Sequence, residues 1–271
     1  MIDTIKDLLK KTLKVYKNNF LKIIAIILLV WIPLVVVNAV LIEPSVEIDG
    51  IIEILNNKEL KGTPEYQDAE LVYNKTTIIY FAMTFVISLL GTVSQIGIIK
   101  IAGESQKNGF KKISLGISDV FSEAISLLPR VLWVYILTVS MIFIGLMMFV
   151  FPGIYIYVMS SLSISAVVLA GAKGMQAVRL SFVTVKNEVF TVGVSLLLFL
   201  VFSAASAYGL SALITLISGG KIITAVLGAA VTIIGEFISA LQTIFLALFF
   251  AERCKVLNTE HPQDKVPGAE Q

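Results

Sequence analysis

The sequence has one cysteine and one histidine in 271 residues, and only 15% of its residues are charged. The single Cys254 excludes an intrachain disulfide framework and leaves the redox compartment open. His261 falls in a polar C-terminal stretch with Pro262 and Pro267, a composition that favours a disordered tail over a catalytic fold. The chain contains no HExxH pair, no Ser/His couple inside an apolar segment and no intramembrane aspartates from which hydrolytic or metal chemistry could be assembled. No enzymatic activity, metal site or cofactor is therefore expected. A formal net charge of only +2 gives no basis for expecting a nucleic-acid partner.

Apolar sequence is what the chain has in excess. Hydrophobic residues make up 57% of it and the mean hydropathy is +0.90, beyond what a soluble globular domain carries. A helix needs about 20 apolar residues to cross roughly 30 Å of hydrocarbon, and six such stretches are predicted, at about 20–42, 76–101, 131–151, 154–172, 191–217 and 222–251. The third and fourth share one long run, and Pro152-Gly153 is where it is expected to fold back. Ser218-Gly219-Gly220-Lys221 separates the fifth from the sixth. The expectation is an all-α integral membrane protein, a single six-span domain over 1–255 in three hairpins, with a disordered tail at 256–271.

Lys and Arg set the expected orientation, because inner segments carry the excess. All but four of the 21 basic residues (Lys58, Lys61, Lys75 and Lys221) fall on the side of the two chain ends, which predicts N-in and C-in. The outer loop, 43–75, has eight acidic residues and three lysines. Within it Ile48, Ile51, Ile52 and Leu55 are spaced for a short amphipathic helix. The N-terminal segment does not read as a cleaved secretory signal, since a helical amphipathic stretch precedes an apolar run longer than a signal core.

An amphipathic helix is also expected on the inner side before spans one, three and five. In the first, Ile2, Ile5, Leu9, Leu13, Tyr16 and Phe20 form the apolar face, and Lys6, Lys10 and Lys14 project elsewhere, towards anionic headgroups. In the second, Val120, Phe121, Ala124, Ile125 and Leu128 precede Pro129-Arg130. In the third, Met175, Val178, Phe182, Val185 and Val189 are apolar, with Arg179 and Lys186 on the polar side. Val15-Tyr16-Lys17-Asn18-Asn19-Phe20 echoes Val185-Lys186-Asn187-Glu188-Val189-Phe190, so three related units are expected.

Gly174, Ala177, Arg179, Ser181 and Lys186 before the fifth span, together with Phe151-Pro152-Gly153-Ile154 and Leu13 to Phe20, resemble motifs of a known family. Its members are bacterial and archaeal multispan proteins named for the membrane domain that in some of them precedes a glycerophosphoryl diester phosphodiesterase. The resemblance spans most of the chain through short motifs and implies a six-helix membrane fold in a prokaryotic cytoplasmic (inner) membrane. The catalytic domain is not present here. Where members often carry a Glu-Gly pair, this chain has Ala170-Gly171, so no role of that Glu carries over.

Glu236 stands out within the last apolar run, because an ionisable side chain at bilayer depth points to function. Thr232, Glu236, Ser239 and Thr243 share one side of a helix, as do Thr84, Ser88, Thr92 and Gln95 in the second span. Counted by depth, Glu236, Gln95, Thr92, Ser203 and Thr232 form a candidate intramembrane polar cluster. The alternative is that these rows are packing seams between helices. Two functions are open: a non-enzymatic protein of envelope maintenance or the membrane subunit or accessory of a larger assembly, and a small transporter or channel for a cationic or proton-coupled substrate using Glu236. The expected partners are the bilayer, anionic headgroups at the cytoplasmic face, and a protein partner or a second copy. Pro33 is expected to kink the first span.

Overall fold

The structure, a computed structural model, describes residues 2–41, 48–217 and 221–260. It is about 89% helical, with no strand among the described residues. The helices, in order, are α1 (Ile2–Asn18), α2 (Phe20–Leu41), α3 (Ile48–Asn56), α4 (Pro64–Lys107), α5 (Ile117–Met148), α6 (Val150–Ser160), α7 (Ser163–Ala170), α8 (Met175–Val185), α9 (Val189–Ile217) and α10 (Lys221–Glu260), with a single 3-10 turn at Lys58–Leu60. Five helices are long and apolar enough to cross a membrane, and six if α1 and α2 count as one broken span. The protein is therefore an all-α, multispan membrane protein. The chain divides into two compact units, Met1–Leu28 with Val93–Gln271, and Leu29–Thr92.

Several boundaries differ from expectation, each for a local reason. The turn after the third span falls at Phe149, whose backbone is extended (φ −165°, ψ 157°), and Pro152-Gly153 lies inside the first turn of α6. Proline is tolerated there because the first helical N–H groups have no intrahelical acceptor. Gly153 serves close packing instead: a Cβ on it would lie 2.4 Å from the Leu146 side chain and 2.9 Å from the Leu146 nitrogen, and one on Gly145 would lie 3.0 Å from the Gly153 Cα. The glycines thus let α5 and α6 meet backbone to backbone.

No separate amphipathic helix precedes the third span. Ile117–Met148 is one helix running through Pro129, so of the three expected inner helices only α1 and α8 are distinct. Proline inside a helix leaves one carbonyl without its donor, which the chain tolerates here. Helix α4 starts at Pro64, inside the expected outer loop, and its 44 residues span about 66 Å at 1.5 Å per residue, well beyond the hydrocarbon. The short outer helix is present as α3. Helix α10 continues to Glu260, so the expected tail is helical in its first residues; His261 and the rest of it, like the turn at Ser218-Gly219-Gly220, lie outside the described residues. A 75° bend separates α1 from α2 at Asn19, and Pro33 lies within the bounds of α2.

The core of the larger unit is the C-terminal half of α10. Ala247, Leu248, Phe249 and Phe250 are buried in succession, the mark of a helix enclosed on all sides. Helices α1, α7, α8 and α9 pack around it. Beside it, Val150–Ala170 forms a span interrupted at Ser161-Leu162. The Gly171 residue that ends α7 adopts the left-handed conformation (φ 66°) and donates its N–H to the Val167 carbonyl at 3.1 Å, as helix C-terminal glycines do.

Candidate functional site

The polar chemistry of the larger unit is concentrated at one end, where α1, the α4–α5 loop, α8 and the end of α10 meet. Asn19, at the α1–α2 bend, is buried and fully used. Its Nδ2 donates to the Val15 carbonyl (3.1 Å) and to Ser105 Oγ (3.3 Å), and its Oδ1 accepts the Ile113 N–H (3.0 Å). Ser105 Oγ in turn donates to the Lys111 carbonyl at 3.1 Å. Asn18 Nδ2 donates to the Phe110 carbonyl at 2.7 Å, and Lys22 Nζ donates to the carbonyls of Ile113 (2.9 Å) and Leu115. Phe110 holds a left-handed backbone (φ 63°), uncommon for a non-glycine residue. These bonds satisfy the backbone of a loop that would otherwise leave carbonyls unpaired near the bilayer.

Adjacent residues of opposite charge at the end of α10 fasten two other elements. Glu252 Oε1 pairs with Lys11 of α1 at 2.8 Å, and Lys11 also holds Asp7 at 2.6 Å. Both carboxylates, Asp7 first and then Glu252, raise the Lys11 pKa above its ordinary value. Arg253 Nη2 lies 3.6 Å from Glu188 Oε1 at the base of α9, while Glu188 Oε2 accepts the Thr191 hydroxyl at 2.8 Å. Tyr16, on α1, is half-buried, and desolvation pushes its pKa up to about 12.

Helix α1 docks one face on the protein and leaves part of its expected apolar face uncovered. Ile5, Leu8, Thr12, Val15 and Asn19 are buried, whereas Leu13 and Phe20 are 57% and 44% exposed. Of the expected apolar face, Ile5 is docked, Leu9 and Tyr16 are half-buried, and only Leu13 and Phe20 are uncovered. Lys6, Lys10 and Lys14 are exposed, as are Arg179 of α8 and Lys186 just after it, and Lys14 lies 5.9 Å above the Phe110 ring.

The intramembrane candidates lie on α4, α9 and α10, the helices of the spans on which they were expected. Glu236 and Gln95 are half-buried in α10 and α4, and Ser203 is half-buried in α9. Thr92 belongs to the smaller unit, and its hydroxyl donates to the Ser88 carbonyl at 2.8 Å. The backbone of Thr232 is part of α10, and its side chain lies outside the described residues. On the same row of α10, Ser239 is exposed and Thr243 buried.

Asn19, Lys22, Ser105, Glu188, Glu252 and Arg253 were not singled out as site residues by the sequence. The available signal was their position, polar or charged groups within a turn of an apolar run. Among the described residues no group of three or more His, Cys, Asp or Glu side chains could hold a metal ion. No protein-family model, curated protein or solved structure matches the chain.

Proposed function

We propose that this chain is a non-enzymatic membrane subunit or accessory of a larger assembly, held in a prokaryotic inner membrane with both ends inside. One observation carries the reading: in the most apolar stretch of α4, only 6% of residues are buried, although that stretch carries a seam suited to packing. Thr84, Ser88 and Thr92 are small hydroxyl residues at four-residue spacing over about two and a half turns, each donating to the carbonyl four residues back. A Cβ on Gly91 would meet nothing within 4 Å. Seams of this kind let membrane helices approach closely, with their remaining lone pairs available across the contact, and here they await another chain. The test is particle mass in polymer-extracted native membranes. The particle should exceed one 29.5 kDa chain, and Ser88→Leu with Thr92→Leu should reduce it; a single-chain particle unaffected by the pair would overturn the reading.

A second reading, proton- or cation-coupled transport, is favoured by Glu236, a half-buried carboxyl inside the apolar stretch of α10. It requires a titrating carboxyl that water reaches. In liposomes, pH-dependent carbodiimide labelling lost in Glu236→Gln would support it, and absence of labelling at every pH would exclude it.

A further inference from the structure

We infer that the groove between α1, α9 and α10 binds one anionic phospholipid, its acyl chain lying in the groove and its phosphate held by Lys6 and Lys10. The groove encloses about 270 Å³, just under the roughly 300–1,000 Å³ of ordinary small-molecule pockets. Its floor is Phe199 against Phe245, packed edge to face with centroids 5.7 Å apart. Leu198 and Phe202 form an exposed rim, 55% and 58% accessible, and α1 supplies Ile5 and Leu9 as the opposite wall. Among the described residues the only polar lining group is Ser195, whose hydroxyl is spent on the Thr191 carbonyl at 2.7 Å. An occupant must therefore be hydrocarbon along its length.

The same wall is charged on its outer side. Lys6 and Lys10 follow directly on Ile5 and Leu9, one turn apart, and both are exposed. They form no ion pair among the described residues, because the nearby carboxylate of Asp7 is taken by Lys11. Helix α1 turns 75° away from α2, which sets it across the direction of the first span, at the depth where headgroups lie. A molecule apolar in the groove and anionic beside Lys6 and Lys10 satisfies both halves of the wall, and a phospholipid with a net negative head has that chemistry. A neutral lipid satisfies only the groove, and a soluble anion only the lysines. The inference is independent of what covers α4.

The experiment is native mass spectrometry of the full chain in detergent, titrated with phosphatidylglycerol and with phosphatidylcholine. One phosphatidylglycerol should be retained per chain in preference to phosphatidylcholine. Lys6→Ala with Lys10→Ala should weaken it by about thirtyfold, the summed effect expected of two lysines near an anionic head. Leu9→Trp, which fills the groove, should abolish retention, and Arg179→Ala with Lys186→Ala should leave it unchanged. For the unaltered chain, a short-chain phosphatidylglycerol should bind more weakly than a long-chain one, a comparison that no folding defect can imitate. Equal retention of the two headgroups, insensitivity to chain length, or a dimer lost in Leu9→Trp would overturn the proposal, the last by placing a second copy in the groove.

Discussion

Ser181 shows how much a single hydroxyl can hold in a chain with few polar groups. It is completely buried, donates to the Met159 carbonyl at 2.7 Å and accepts the Leu162 N–H at 3.1 Å, closing the break between α6 and α7. Ser181→Ala would strand both groups, a loss of about 1–3 kcal/mol for a buried unsatisfied partner. We expect a lower thermal unfolding temperature in detergent for that variant, and no more than a small change for Ser126→Ala, whose exposed hydroxyl bonds only within its own helix. Ser181 was legible in the sequence as part of a motif, but its job was not, because the break it fills is created by residues some twenty positions earlier. Asn19 was similarly visible only as a member of short motifs near Phe20; its three partners come from the end of α1, from α4 and from the α4–α5 loop.

At the scale of elements, the positions and lengths of apolar runs were readable, since crossing the bilayer fixes both. What a helix does with its faces was harder to read. Periodicity identified α1 as amphipathic, yet it could not separate the stripe that meets protein from the one that remains uncovered, because both are apolar and lie side by side. The hairpin turn shows the same limit: Pro152-Gly153 marked the right region, but the chain turns at Phe149 and uses Gly153 for contact. Gly153→Ala should accordingly destabilise the hairpin through a clash with the Leu146 backbone, by about 1–3 kcal/mol, whereas Gly91→Ala should change unfolding in detergent by no more than about 0.5 kcal/mol. Docking of α1 should also depend on pH. Tyr16 and Lys11 both have raised folded-state pKa values, so their contributions are complete below the ordinary values of 10.0 and 10.5 and fade as pH rises, for Tyr16 through about 12. Thermal stability should be flat through neutral pH and fall above about 10, with a shallower fall in Tyr16→Phe.

For the whole molecule, charge segregation and six apolar runs led directly to a multispan helical protein, and the structure has that form. The polar rows were legible as rows but not as a site, since their meaning depends on what faces them. Thr84 and Ser88 are exposed and Thr92 is half-buried on α4, while the candidates around Glu236 lie on α4, α9 and α10. The exposure of Thr84 and Ser88 is the ground on which we favour assembly.

The most direct measurement is photo-crosslinking in intact native membranes, with a photoreactive residue placed at Ser88 and, as a control, at Leu197, which is exposed on α9. The account predicts a discrete protein adduct from Ser88, sharp in mass and lost when Thr84 and Thr92 are made leucine, against lipid adducts from Leu197. Lipid adducts alone from both positions would contradict it.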